Sequence, residues 1–191
     1  MKQVFTDLST IAHLWANKVQ FSAKNSSRNF FFENEQIYSY GYHFVIAMHV
    51  TNDRGEAGIL FTNRGYSNTT SKHISIVRQA SSHLTKVYCY NPEYSHHDNF
   101  KQWKLQAESV VGNLTKAKKP AKYLSELGAI QGQVNKYANF FSVDIPLDLQ
   151  AILSIGCKSD YLEYSTKREE FERKEKAKLN RIAKQKHKEA I

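Results

Sequence analysis

Residues 30–62 read FFFENEQIYSYGYHFVIAMHVTNDRGEAGILFT, and the punctuation of this stretch decides the fold class. Phe30, Phe31 and Phe32 run into Glu33-Asn34-Glu35, a turn candidate, after which Ile37-Tyr38-Ser39-Tyr40 resumes an extended pattern. From His43 to Val50 the chain alternates. Phe44, Ile46, Met48 and Val50 are expected on one face, with His43, Val45, Ala47 and His49 on the other. A period of two marks a strand with one buried face. Asn52-Asp53-Arg54-Gly55 then supplies residues that tolerate the positive φ of a hairpin turn, and Ala57 to Thr62 returns as the partner strand. The stretch therefore reads as a three- or four-stranded antiparallel meander.

Upstream, Thr6 is a candidate N-cap, and Leu8, Ile11, Trp15 and Val19 recur at the spacing of a short amphipathic helix, which the polar run 22–29 breaks. Downstream, Thr70 or Ser71 is expected to cap a helix that carries Ile74 and Val77 inward and ends near Ser82. Val87-Tyr88-Cys89-Tyr90 is a short strand able to join the sheet, and 91–97 is a loop. Helical patterns follow: Asp98 to about Lys118, before Pro120; Ala121 to Leu127, stopped by Gly128; Gln131 to Phe141; Pro146 to Ile155; and a tail helix from about Ser159. The fold class is α+β, a small antiparallel sheet packed with helices, then a helical C-terminal half ending in a long basic helix. The divisions expected are 1–97, 98–158 and 159–191.

The chain has 191 residues, of which 41% are hydrophobic, 13% aromatic and 24% charged, enough to build one core. Its formal charge of +9 favours an acidic partner: nucleic acid first, then an anionic membrane or an acidic protein surface. Cys89 and Cys157 are far apart and form no CxxC pair, so neither a disulfide framework nor a zinc finger is indicated. No apolar run approaches the roughly 20 residues of a membrane span, and the N-terminus lacks the apolar centre of a signal peptide. A reducing host cytoplasm or a virion is the expected location, with no membrane involved and no cofactor or metal implied.

Residues 166–191 hold 10 Lys/Arg against 5 Glu, which is +5 of the +9. Acids come early and bases late, complementing the helix dipole, and Glu169/Arg173, Glu170/Lys174 and Glu172/Lys176 have the favourable i,i+4 order. Lys174, Lys178, Arg181, Lys184 and Lys188 share one face, a stripe about 21 Å long that can follow phosphates. Phe171, Leu179 and Ile182 keep no heptad, which argues against a dimeric coiled coil. Lys116, Lys118, Lys119 and Lys122 form a second basic cluster.

Two constellations carry candidate chemistry. Residues 64–73 (RGYSNTTSKH) lie between a strand and a helix, where Arg64, Lys72 and His73 would meet an anion beside unpaired backbone N–H groups. The spacing is not that of a Walker loop. Tyr38, Tyr40 and Tyr42 share one strand parity, and Tyr66 follows the neighbouring strand. If exposed, these rings offer stacking for single-stranded nucleic acid, and packing in the core is their alternative use. His43 and His49 are about 20 Å apart along a strand, too far to share a metal. No nucleophile–base pair or catalytic motif can be named, so no catalytic residue is assigned.

Within residues 30–78, the runs IYSYGYHF and YSNTTSKH, preceded by an aromatic pair, resemble an uncharacterised domain family of bacteriophage and mobile-element proteins. The resemblance covers about a quarter of the chain. It implies a phage or prophage origin and brings no established activity, so no residue role is carried over. The expectation is a non-enzymatic nucleic-acid-binding accessory protein. The alternative is a protein-interaction module, such as an inhibitor of a host nucleic-acid-targeting defence complex, or a virion component.

Overall fold

Strand pairing follows chain order in the computed structural model, which describes residues 2–156 and 158–189. Six strands lie side by side as β1 (Ser22–Lys24), β2 (Phe30–Glu33), β3 (Gln36–Ser39), β4 (Val45–Thr51), β5 (Ala57–Thr62) and β6 (Lys86–Cys89). The first five are antiparallel neighbours; β6 runs parallel to β5, with Leu60 opposite Val87 and Thr62 opposite Cys89. The helices are α1 (Leu8–Ala16), α2 (Asn68–Ala80), α3 (His96–Lys116), α4 (Ala121–Phe141), α5 (Leu147–Leu153) and α6 (Lys158–Glu189). The α+β expectation holds, with a larger sheet than the meander alone. The polar run after α1 contributes β1, because Ala23 is drawn into the core while Ser22 and Lys24 flank it.

The chain forms two compact units. One comprises Met1–Trp103 and Ile130–Pro146, the other Lys104–Ala129 and Leu147–Ile191. In the first, α1 and α2 cover one sheet face, burying Ile11, Trp15, Ile74 and Val77 against Phe30, Phe32, Ile37, Phe44, Ile46, Ala47, Ile59 and Phe61. Each large side chain buried this way is worth about 1.5–3 kcal/mol against the entropy of ordering the chain. The opposite face carries a smaller cluster of Phe31, Tyr38 and Val45 with Met48.

The alternation expected in β4 fails at one residue. Ile37 pairs with Ala47 and Tyr38 with Val45, so Ile46 is an extra residue, a β-bulge. Beyond the bulge the parity inverts: Ala47 joins Phe44 and Ile46 in the main core, and Met48 joins Val45 on the other side. His49 consequently faces α1, where its ring lies 4.5 Å from Trp15 and its Nε2 is 3.1 Å from the Trp15 carbonyl.

Helix limits also shift. Asp7, not Thr6, caps α1, its carboxylate accepting from the N–H groups of Ser9 and Thr10 at 3.2 and 2.9 Å. That helix ends at Ala16, leaving Val19 exposed. Ser67 caps α2, one turn earlier than Thr70 or Ser71. Ser95 caps α3 reciprocally with Asp98, which draws His96 and His97 into the helix. Gly128 does not stop α4, which is continuous from Ala121 to Phe141 and buries Leu127, Val134, Tyr137 and Ala138. Burial of that face outweighs the cost of about 1 kcal/mol for an interior glycine.

In the second unit Ala107, Val111, Leu114, Leu127, Leu149, Ile152 and Leu153 are buried, and Lys104 pairs with Asp148 at 2.5 Å. Every described side chain of α6 is exposed. No helix among the described residues is long and apolar enough to cross a membrane.

The β4–β5 hairpin is fixed by Asn52. Its Oδ1 accepts from the N–H groups of Arg54 and Glu56, and its Nδ2 donates to Glu56 Oε2 and, at 2.8 Å, to the Phe140 carbonyl at the end of α4. Replacing Asn52 with Ala removes the acceptor of the Arg54 and Glu56 N–H groups, while Arg54 Nη2 still reaches Glu56 Oε2 and the Phe140 carbonyl, and should lower the unfolding free energy by about 1–3 kcal/mol, measured by urea denaturation. Asp53→Ala, at an exposed position of the same turn, should change it by less than about 0.5 kcal/mol.

Candidate nucleic-acid interface

Because β3, β5 and β6 point the same way, their carboxyl ends open at one end of the sheet. Three connections meet there, 40–44, 63–67 and 90–95, and Tyr40 N–H donates to Asn29 O at 2.8 Å, bringing in the β1–β2 loop. Carboxyl ends of parallel strands are where open sheets hold ligands, since the loops there diverge and leave a crevice.

This end concentrates aromatic surface. Tyr40, Tyr42, Tyr66 and Tyr94 are 44%, 55%, 73% and 40% exposed, and among the described residues they are the exposed tyrosines of the chain. The sequence parity of Tyr38, Tyr40 and Tyr42 does not survive. β3 ends at Ser39, and Tyr40 and Gly41 turn through φ of +56° and +104°. Gly41 fits the second of these because it carries no Cβ. Tyr38 is buried in a stack on Phe31, at 4.9 Å, so it cannot offer a free face to a base. Burial, with the nearby charges of Glu93 and Glu33, pushes its phenol up to about 12. Tyr42 packs edge-on against both rings at 5.2 Å and donates to Glu33 Oε1 at 2.8 Å, a bond that raises its own phenol. Tyr66 lies 5.6 Å from Phe44, and Tyr94 lies 6.0 Å from Tyr90.

Arg64 sits among these rings. Its guanidinium carbon is 4.6 Å from the Phe44 centroid and 5.4 Å from that of Tyr90, a cation held between two aromatic walls. No carboxylate pairs with it among the described residues. Lys72 is exposed near the start of α2, and Arg28 is exposed in the β1–β2 loop.

His73 does not join Lys72 in a surface pocket. It is 2% exposed, with Nδ1 2.8 Å from Ser39 Oγ and its ring between Phe30 at 4.7 Å and Tyr40 at 5.8 Å. A chain of hydroxyls, Ser67 to Thr70 to Ser39, continues the network. Ser39 is fully buried, and no carboxylate among the described residues hydrogen-bonds the ring. The pair fastens β3 to α2 and holds Tyr40 in place.

Of the basic stripe on α6, Lys174, Lys178 and Arg181 are exposed and have no ion-pair partner among the described residues. The side chains of Lys184 and Lys188 lie outside the described residues. Lys116, Lys118, Lys119 and Lys122 are also exposed, Lys122 lying 3.8 Å from Glu126. No group of three His, Cys, Asp or Glu side chains is placed to hold a metal among the described residues.

Compared with protein-family models, curated proteins and solved structures, the chain matches none of them. Tyr90, Tyr94 and Phe44 escaped the reading of the sequence. They lie 26 residues or more from Arg64 on one side and 20 on the other, and nothing local marks them as its neighbours.

Burial pushes the His73 imidazole down, with the Lys72 charge adding to the effect, and burial likewise lowers His49. Both rings resist protonation in the folded state more than in an unfolded chain, which protonates them near 6.5. Stability present above pH 6.5 is therefore lost as pH falls toward the depressed folded-state values. The carboxylates whose values are lowered, such as Asp7 and Asp98, act only at still lower pH. Urea midpoints measured between about pH 6.5 and pH 5 should fall, and His73→Asn, which retains polar contact with Ser39 and does not titrate there, should flatten the slope by up to about 1.4 kcal/mol per pH unit.

Proposed function

We propose that this chain is a non-enzymatic binding protein for single-stranded nucleic acid, in the phage or mobile-element setting that residues 30–78 imply. The observation that supports the reading is the set of exposed tyrosines on the loops at one end of the sheet, with Tyr66 packed on Phe44 and Tyr94 beside Tyr90, the two rings that flank Arg64. Exposed rings stack on bases of any sequence, at about 1–3 kcal/mol per base, while arginine meets the backbone. A duplex keeps its bases stacked on one another and has no free faces for these rings. Lys174, Lys178 and Arg181 on α6, joined in sequence by Lys184 and Lys188, add a term that depends on charge alone.

The two contributions separate experimentally. In fluorescence anisotropy with a labelled single strand, the Tyr66→Ala/Tyr94→Ala double variant should weaken binding by at least about tenfold while leaving the dependence on salt unchanged. Replacing Lys174, Lys178 and Arg181 with Gln should instead reduce the slope of log affinity against log salt by about 0.7 per charge in contact. Equal affinity of the tyrosine variant and the parent chain would remove the loop end from the interface. Binding that needs the tyrosines but prefers a protein after nuclease treatment would favour the interaction-module alternative.

A further inference from the structure

We propose that Arg64 is the receptor for a terminal phosphate, so that the protein engages the phosphorylated end of a strand. The inference rests on the single-strand reading above and deepens it.

Arg64 follows directly on β5, where its N–H donates to Thr62 Oγ1 at 3.2 Å. Phe44 and Tyr90 hold the plane of its guanidinium. Within that plane, Nε and Nη2 are both shielded from solvent and find no hydrogen-bond acceptor. These two nitrogens form the side-on edge of the fork, which matches two oxygens of one phosphate or carboxylate group. Shielded donors almost always have partners, and an uncompensated charge held among rings is costly. Burial raises the thiol of Cys89 against the influence of the Arg64 charge, so that neighbour stays neutral and does not compensate it. An anion arriving at the edge relieves both costs at once.

The shielding of these two donors between rings selects the kind of anion. An internal phosphodiester carries a chain on both sides and two free oxygens that point away from it, which suits an exposed cation. A terminal monoester presents three oxygens at the tip of the strand with no chain beyond them, so it suits donors that lie between rings. Tyr66 and Tyr94 lie tilted beside the two walls, 73% and 40% exposed, and are available to the attached base.

The test uses the full chain and one short single strand with its 5′ end, its 3′ end, or neither end phosphorylated. One phosphorylated form should bind about tenfold or more tighter than the strand with hydroxyl ends, the range of a charge-assisted pair of hydrogen bonds. Arg64→Gln should erase the difference, and Arg64→Lys, a point charge without a fork, should not restore it. Equal binding of all three strands would overturn the inference and leave the single-strand reading standing; no binding of any would overturn both. A second measurement needs no variant. In 1H–15N spectra, a nucleoside monophosphate should shift the Arg64 Nε–H resonance where the nucleoside does not, and an unmoved resonance overturns the proposal. A simple aliphatic carboxylate shifting it equally would assign the edge to carboxylates and overturn the phosphate assignment.

Discussion

The parallel alignment of β6 with β5 is the constraint on which the rest depends. Antiparallel neighbours can be joined at a tight turn, but a parallel pair requires the chain to return to the starting end before the second strand begins. Here α2 makes that return, packed on the main core through Ile74, Val77 and Ala80. Two consequences follow. The carboxyl ends of β5 and β6 open on the same end as that of β3, and the start of α2 is drawn beside them. Were β6 antiparallel, Tyr90 and Tyr94 would leave the sheet at the hairpin end, and Arg64 would lose one of its two walls.

The loop end is held by unequal means. On the side of α2, the His73–Ser39 bond and the hydroxyls of Thr70 and Ser67 fasten β3 to the helix and set the position of Tyr40. On the side of β6, Thr62 Oγ1 donates to the Tyr90 carbonyl, and Asn99 fixes Asn91 through bonds with its N–H and carbonyl. Arg64 lies between these two hydrogen-bonded margins, with the rings of Phe44 and Tyr90 against its guanidinium. Each such contact is worth about 0.5–2 kcal/mol, less than the cost of an uncompensated buried charge. An anion at the Nε and Nη2 edge would offset the remainder.

Much of this was legible in the sequence, for identifiable reasons. Turn chemistry at Asn34 and at 52–55 located the β2–β3 and β4–β5 hairpins, because Asn and Gly are among the few residues that accept their backbone angles. The charge order of α6 declared an exposed helix. The bulge at Ile46 was hidden, since Val45, Ile46 and Ala47 are all apolar and each suits either face. Continuity through Gly128 was hidden as well, because propensity cannot register what a helix face buries. Arg64, Lys72 and Tyr66 were marked by their place between a strand and a helix. The separation of His73 from them was not, since burial of a polar ring depends on Ser39, 34 residues earlier. The partners of Arg64 come from two other loops, and only the sheet order brings them together.

The basic helix and the tyrosine end have different physics. Attraction to the exposed lysines of α6 is long-ranged, indifferent to sequence and screened by salt, whereas stacking is short-ranged and needs unpaired bases. Stacking is the contribution that distinguishes a single strand from a duplex. It is tested most directly by photocrosslinking a bromouridine-substituted single strand to the full chain and mapping the modified peptides. Crosslinks at Tyr40, Tyr66 or Tyr94 are expected. Crosslinks confined to residues 158–189, with none on the loops at the carboxyl ends of β3, β5 and β6, would contradict it.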